Sequence, residues 1–109
     1  MRESEIESIL VSEIRREGGK AYKWVSPGNS GVPDRIIIMP GGRISFVELK
    51  TEVGRPTGLQ WAQIRRLSQM GCDVEVVAGL RGVYDWLRRH DMPNAADRVM
   101  HLILRDGRR

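Results

Sequence analysis

Gly31-Val32-Pro33-Asp34-Arg35-Ile36-Ile37-Ile38-Met39-Pro40-Gly41-Gly42-Arg43-Ile44-Ser45-Phe46-Val47-Glu48-Leu49-Lys50 is the stretch that decides how this chain folds. Asp34 to Met39 is β-branched and apolar, which predicts a strand buried on both faces. Pro40-Gly41-Gly42 is a tight turn, and Arg43 to Lys50 is the returning strand, so the pair reads as a hairpin. Side chains alternate along a strand. Phe46, Glu48 and Lys50 therefore share one face, while Val47 and Leu49 enter the core. Hairpin pairing also brings Asp34 beside Glu48, near the open ends of both strands.

The flanking sequence supplies the rest of an α/β domain. Residues 4–17 predict a helix, with Ile6, Ile9, Leu10 and Ile14 on one stripe and Gly18-Gly19 as the stop. Residues 21–25 predict a strand around Tyr22 and Trp24, and 26–33 is loop chemistry throughout. After the hairpin come a loop over 51–56, a helix over 58–70 closed by Gly71, and a strand over 73–77. A short helix over 83–89 and a weakly helical segment over 94–105 complete the order α-β-β-β-α-β-α. A helix between the third and fourth strands implies a parallel pair, hence a mixed central sheet flanked by helices. The 109 residues suit one domain, with a core over about 3–90 and a basic extension over 91–109.

Composition narrows the function classes. With 40% hydrophobic and 29% charged residues the chain reads as globular. The single Cys72 excludes an internal disulfide and any zinc site built on cysteine pairs. His90 and His101 lack the i, i+4 spacing of a helical metal pair and receive no role. No apolar run is long enough to span a membrane, and the acidic Met1 to Glu7 segment is unlike a signal peptide. The expectation is a soluble, cytoplasmic protein. Residues 1–54 balance eight basic against eight acidic side chains, whereas 55–109 set ten arginines against six acids. The whole net charge of +4 therefore lies in the second half, and a basic half points to a polyanion such as nucleic acid. A solvated arginine surface is the plainer alternative. Neither a P-loop nor a GxGxxG supports a nucleotide-binding protein.

Two neighbouring carboxylates repel unless a proton or cation lies between them. Asp34 and Glu48 would suit a hard divalent cation such as Mg2+. Lys50, two residues on, could orient an attacking water or neutralise charge developing on a phosphate. The structural alternative is an ion pair at a sheet edge, Glu48 with Lys50 or Asp34 with Arg35 or Arg43.

Gly31-Val32-Pro33-Asp34, Gly41-Gly42-Arg43, Phe46-Val47-Glu48-Leu49-Lys50 and Gln60 together resemble the virus-type replication-repair nucleases (VRR-NUC), of the PD-(D/E)xK superfamily. The resemblance covers roughly residues 3–90 and is to the stand-alone phage and bacterial members. It implies a restriction-endonuclease-like αβββαβ core and metal-dependent hydrolysis of phosphodiesters, with Mg2+ as cofactor and Mn2+ able to replace it. The implied substrate is branched DNA such as a four-way (Holliday) junction; flap, nicked or duplex DNA, or a non-catalytic DNA-binding module, are the alternatives. By the same resemblance Asp34, Glu48 and Glu7 would hold the metal, Lys50 would act on the water, and Gln60 would complete the site. Glu3, one turn before Glu7, is the other choice for the helix ligand.

Glu7 and Gln60 have structural alternatives, because Ser4-Glu5-Ile6-Glu7 and Thr57-Gly58-Leu59-Gln60 both match a helix capping box. The glycines around Ser30 would let a backbone approach DNA closely, and Arg35, Arg55, Arg65 and Arg66 are candidate phosphate contacts. Trp24, Trp61 and Trp86 are candidates for base stacking or for core. A four-way junction needs two incisions, which predicts a homodimer. Trp86, Leu87, Val99, Met100, Leu102, Ile103 and Leu104 are the expected interface material, with Arg98, Arg105, Arg108 and Arg109 beside them; folding back onto the chain's own sheet is the alternative.

Overall fold

The computed structural model describes residues 1–106; Arg108 and Arg109 lie outside them. Helix α1 (Glu3–Arg16) leads into strands β1 (Lys20–Lys23), β2 (Arg35–Met39) and β3 (Arg43–Lys50). Helix α2 (Gly58–Gln69), strand β4 (Val74–Ala78) and helices α3 (Gly79–Arg89) and α4 (Pro93–Asp106) follow. The sheet runs β1-β2-β3-β4, antiparallel across the first two junctions and parallel across the third. This is the expected mixed sheet, with α2 as the crossover between the parallel strands.

One face of the sheet makes the core. Ile37, Val47, Leu49 and Val77 are fully buried there against Ile6, Leu10 and Ile14 of α1 and Leu80, Val83, Trp86 and Leu87 of α3. Each such apolar side chain contributes about 1.5–3 kcal/mol of burial. On the other face, α2 sets Ile64 and Leu67 against β4 and leaves β1 and β2 open. Tyr22, Ile38 and Ile44 are 47%, 37% and 52% exposed there. The expectation that β2 is buried on both faces is therefore corrected: one helix covers the second face, and it reaches only the β4 side.

Four further readings change. Strand β1 begins at Lys20 and ends at Lys23, before Trp24. Helix α3 begins at Gly79, four residues before the predicted start, because Leu80 and Val83 gain a core face despite two glycines. Trp86 and Leu87 are fully buried core residues, and Ala95, Ala96 and Val99 seat α4 on its own chain. Arg98 fastens that seat, with Nε 2.7 Å from Glu13 and Nη2 3.2 Å from Glu17 on α1. Finally, α1 starts at Glu3, so its capping box joins Arg2 to Glu5. Glu7 falls past the first turn and is free of capping.

Candidate active site

The strands β2 and β3 part where the charged residues lie. Arg35 pairs with Val47, so the next residues outward, Asp34 and Glu48, face each other. The Asp34 carbonyl accepts a hydrogen bond from Trp24 N–H at 3.0 Å, which keeps its backbone in the sheet. Its side chain crosses to β3, where Oδ2 accepts the Leu49 N–H at 2.7 Å. A carboxylate thus takes the place of a strand carbonyl. Upstream, Gly31 has φ +88°, and a Cβ there would lie 2.6 Å from the Leu59 backbone. Only glycine lets this loop rest on the start of α2, where Gln63 Nε2 donates to the Ser30 carbonyl at 3.4 Å.

Glu48 lies in the middle of the sheet, paired to β4 at Val76, and is 1% exposed. Lys50 Nζ stands 3.2 Å from Oε2, off the hydrogen-bonding direction, and both carboxylate oxygens are without a hydrogen-bond partner. The only other such buried side-chain atom among the described residues is Trp86 Nε1. The buried carboxylate of Glu13, by contrast, is met by Arg98. Burying a carboxylate with only one poorly aligned cation beside it is costly, and Glu48 responds accordingly. Burial and the neighbouring Asp34 carboxylate push its pKa up to about 7, against the opposing pull of Lys50. Burial also raises Asp34; the Leu49 N–H opposes that rise and the Glu7 carboxylate adds to it.

Helix α1 supplies the outer charges. Glu7 Oε2 lies 2.8 Å from Arg35 Nε, and Glu3 is close enough to act on Glu48. With all groups ionised, four carboxylates meet two cations, Arg35 and Lys50. Two negative charges remain, the complement of one divalent cation. The donors are all oxygens, as Mg2+ and Mn2+ prefer, and the unpartnered Glu48 oxygens are what such an ion would satisfy. Asp34, Glu48 and Lys50 lie together at the parting of the strands, while Glu7 is bound to Arg35 and reaches Asp34 only through its charge.

The supporting residues divide. Gln60 makes the capping box, its Oε1 accepting from Thr57 N–H at 2.9 Å while its own N–H bonds Thr57 Oγ1 at 3.2 Å. Ser30, Arg55, Arg65 and Arg66 are exposed around the loop and α2. Arg35 is half-buried and already holds Glu7 and the Ala21 carbonyl. Of the tryptophans, Trp24 packs on Phe46 with ring centroids 5.3 Å apart, and Trp61 is 41% exposed.

A second cluster went unread in the sequence. Asp73, Glu75 and His90 bring ligand atoms within 4.8 Å of one another, an arrangement able to hold a cation. Its carboxylates already have partners within the chain. The Ser45 hydroxyl donates to Asp73 at 2.6 Å, His90 Nε2 lies 3.0 Å from the same carboxylate, and Arg89 holds Glu75. The signal for it was alternation: Ser45 and Glu75 fall on the helix-packed face, opposite to Glu48.

No family model matches the chain. It is 49% identical over 77 residues to "Putative nuclease p44" of Acyrthosiphon pisum secondary endosymbiont phage 1, spanning 71% of this chain and 83% of that protein. Its fold matches a solved structure described as a VRR_NUC domain, with a TM-score of 0.73 and 31% identity over 81% of this chain and 95% of that one. With its paired carboxylates at the parting of β2 and β3, and this likeness in sequence and fold, the chain belongs to the VRR-NUC nuclease family.

Proposed function

We propose that the protein is a metal-dependent DNA endonuclease that cuts branched DNA, four-way junctions foremost. The observation that carries the metal-dependent part is Glu48, a carboxylate wholly buried, without a hydrogen-bond partner, and beside a second carboxylate. Asp34 and Glu48, with Glu7 at the edge, would hold Mg2+ or Mn2+. When bound, such an ion supplies Lewis-acid polarisation of a phosphate oxygen and a more acidic water.

The chain's own groups do the rest. The Leu49 N–H fixes the Asp34 carboxylate, so one ligand is oriented before anything binds. Lys50, 13% exposed, keeps its ammonium at the mouth beside Glu48. Held there it can orient the attacking water and offset negative charge gathering on the phosphate as one P–O bond forms and another breaks. Gln60 uses only Oε1 for capping, which leaves its amide NH2 for a phosphate or water. In this reading the exposed Ser30, Arg55, Arg65 and Arg66 would hold the DNA arms.

The branched substrate is supported by the resemblance to stand-alone members of the family. Because a junction has two-fold symmetry and each chain carries one such site, the working unit in this reading is a homodimer. Cleavage of matched junction, flap, nicked, single-stranded and duplex DNA, with Mg2+, Mn2+ or chelator, tests it. Metal-dependent paired cuts on the junction are expected. Equal rates on plain duplex would overturn the branch preference, and cutting in chelator would overturn the metal.

A further inference from the structure

Asp34 and Arg35 are neighbours in sequence, but alternation sends them to opposite faces of the sheet. Asp34 turns toward β3 and the buried carboxylate, while Arg35 turns toward α1. There its guanidinium makes two contacts at once: Nε to Glu7 Oε2 at 2.8 Å and Nη1 to the Ala21 carbonyl at 3.1 Å. Arg35 and Glu7 side chains are only 18% and 24% exposed, so the pair is largely shielded from solvent. A guanidinium with both edges engaged and little exposure is poorly placed to hold a DNA phosphate. It is well placed to fix a carboxylate, because its planar fork is rigid.

We propose that Arg35 is a positioning residue that holds the Glu7 carboxylate at the edge of the cation site, using the Ala21 carbonyl of β1 as its anchor. The inference rests on the reading of Asp34, Glu48 and Glu7 as that site. Glu7 sits on the second turn of α1, with freedom at three side-chain torsions. Arg35 removes that freedom by tying the helix to β2 and β1 through one side chain. The same contact neutralises one carboxylate, so the site keeps two uncompensated charges. Groups that orient a ligating carboxylate in this way are worth about 10–100-fold in metal affinity.

Mn2+ binding to the full chain, followed by the loss of the free-ion electron paramagnetic resonance signal, gives a readout independent of cleavage. Arg35→Gln and Glu7→Gln are each expected to weaken Mn2+ about 10–100-fold. The double variant should bind no more weakly than Arg35→Gln to within a few-fold, because Arg35 acts through Glu7. Arg35→Lys, which keeps the charge but cannot span both acceptors, should fall between wild type and Arg35→Gln. It also serves as the readout should Arg35→Gln fail to fold. An unchanged or tighter Mn2+ affinity in Arg35→Gln overturns the proposal, whatever its melting temperature. So does a loss confined to DNA affinity, which would make Arg35 a phosphate contact. Losses that add fully in the double variant overturn it too. If the wild type takes up no Mn2+, the cation site itself is wrong and Arg35 falls with it; if only the Arg35 variants match wild type, the site stands and this role alone is lost.

Discussion

At the parting of β2 and β3, Asp34 and Glu48 sit together with a single ammonium, Lys50, beside Glu48 and no aligned hydrogen bond to its carboxylate. On the opposite face of the same sheet, Asp73 and Glu75 share His90, Arg89 and the Ser45 hydroxyl. Both regions gather carboxylates at the sheet, one pair across two strands and the other along β4, yet their pKa shifts run in opposite directions. Burial and like charge raise Glu48 to about 7. At Asp73 burial acts the same way, but the bonds from Ser45 and His90 outweigh it and lower the pKa. One cluster keeps a buried carboxylate with no aligned hydrogen bond, and in the other each carboxylate is bonded by neighbouring side chains. The density of acids does not mark a site; the lack of local compensation does.

The largest effect that would break this contrast is on cleavage. Glu48→Gln and Asp34→Asn are each expected to lower the Mg2+-supported rate by about 10³-fold or more, since each removes a charge from the reacting centre. Metal-free melting temperature should hold or rise, because repulsion is relieved. A variant that cuts at near wild-type rate in a gel assay would remove Glu48 or Asp34 from the site.

Next in size is the pH dependence of metal-free stability. Glu48 is protonated at about 7 when folded and at about 4.5 when unfolded, so its contribution is fully present below pH 4.5 and is lost as pH rises through 7. Glu48→Gln abolishes this loss. Its stability should therefore match wild type near pH 4 and exceed it by a margin that grows to about pH 7, on the order of a few kcal/mol, with the melting temperature moving the same way. Asp73 has the opposite sign: its depressed pKa stabilises above the ordinary value of 3.8 and fades as the pH falls further. Calorimetric scans of wild type, Glu48→Gln and Asp73→Asn across pH 3–8 separate the two. Parallel curves would erase the distinction.

The smallest effect lies in the compensated cluster. His90→Ala and Asp73→Asn should each cost about 1 kcal/mol, because the network is partly exposed, and lower the melting temperature by about 4–8 °C. Cleavage should stay within a few-fold of wild type. A collapse of cleavage with either would mean that this cluster, too, serves the chemistry.

Much of the fold was legible because hairpin alternation is local. The turn Pro40-Gly41-Gly42 fixes the register, and the register puts Asp34 across from Glu48. Helix α2 and its Thr57–Gln60 cap are likewise short-range signals. What escaped the sequence depends on contacts distant along the chain. Arg35 reads as one more surface arginine until α1 brings Glu7 to it, 28 residues away. His90 has no partner within its own helix pattern beyond the Trp86 carbonyl, and meets Asp73 only when α3 packs on β4. The first capping box failed by register: the helix begins at Glu3 with Arg2 as its cap, two residues too early for Ser4 to serve.

The bond from Leu49 N–H to Asp34 Oδ2 also makes that amide a natural spectroscopic probe. Every other rung between β2 and β3 ends on a neutral carbonyl, whereas this proton faces a carboxylate 2.7 Å from its nitrogen. Charge-assisted bonds are the shorter and stronger kind. They draw electron density from the proton, which displaces its resonance downfield of an ordinary strand amide. Anything that drains charge from Asp34, whether a proton or a cation, moves that one resonance back. Occupancy of a site with no chromophore is thereby written into a single backbone signal, readable before any bond in a substrate is cut.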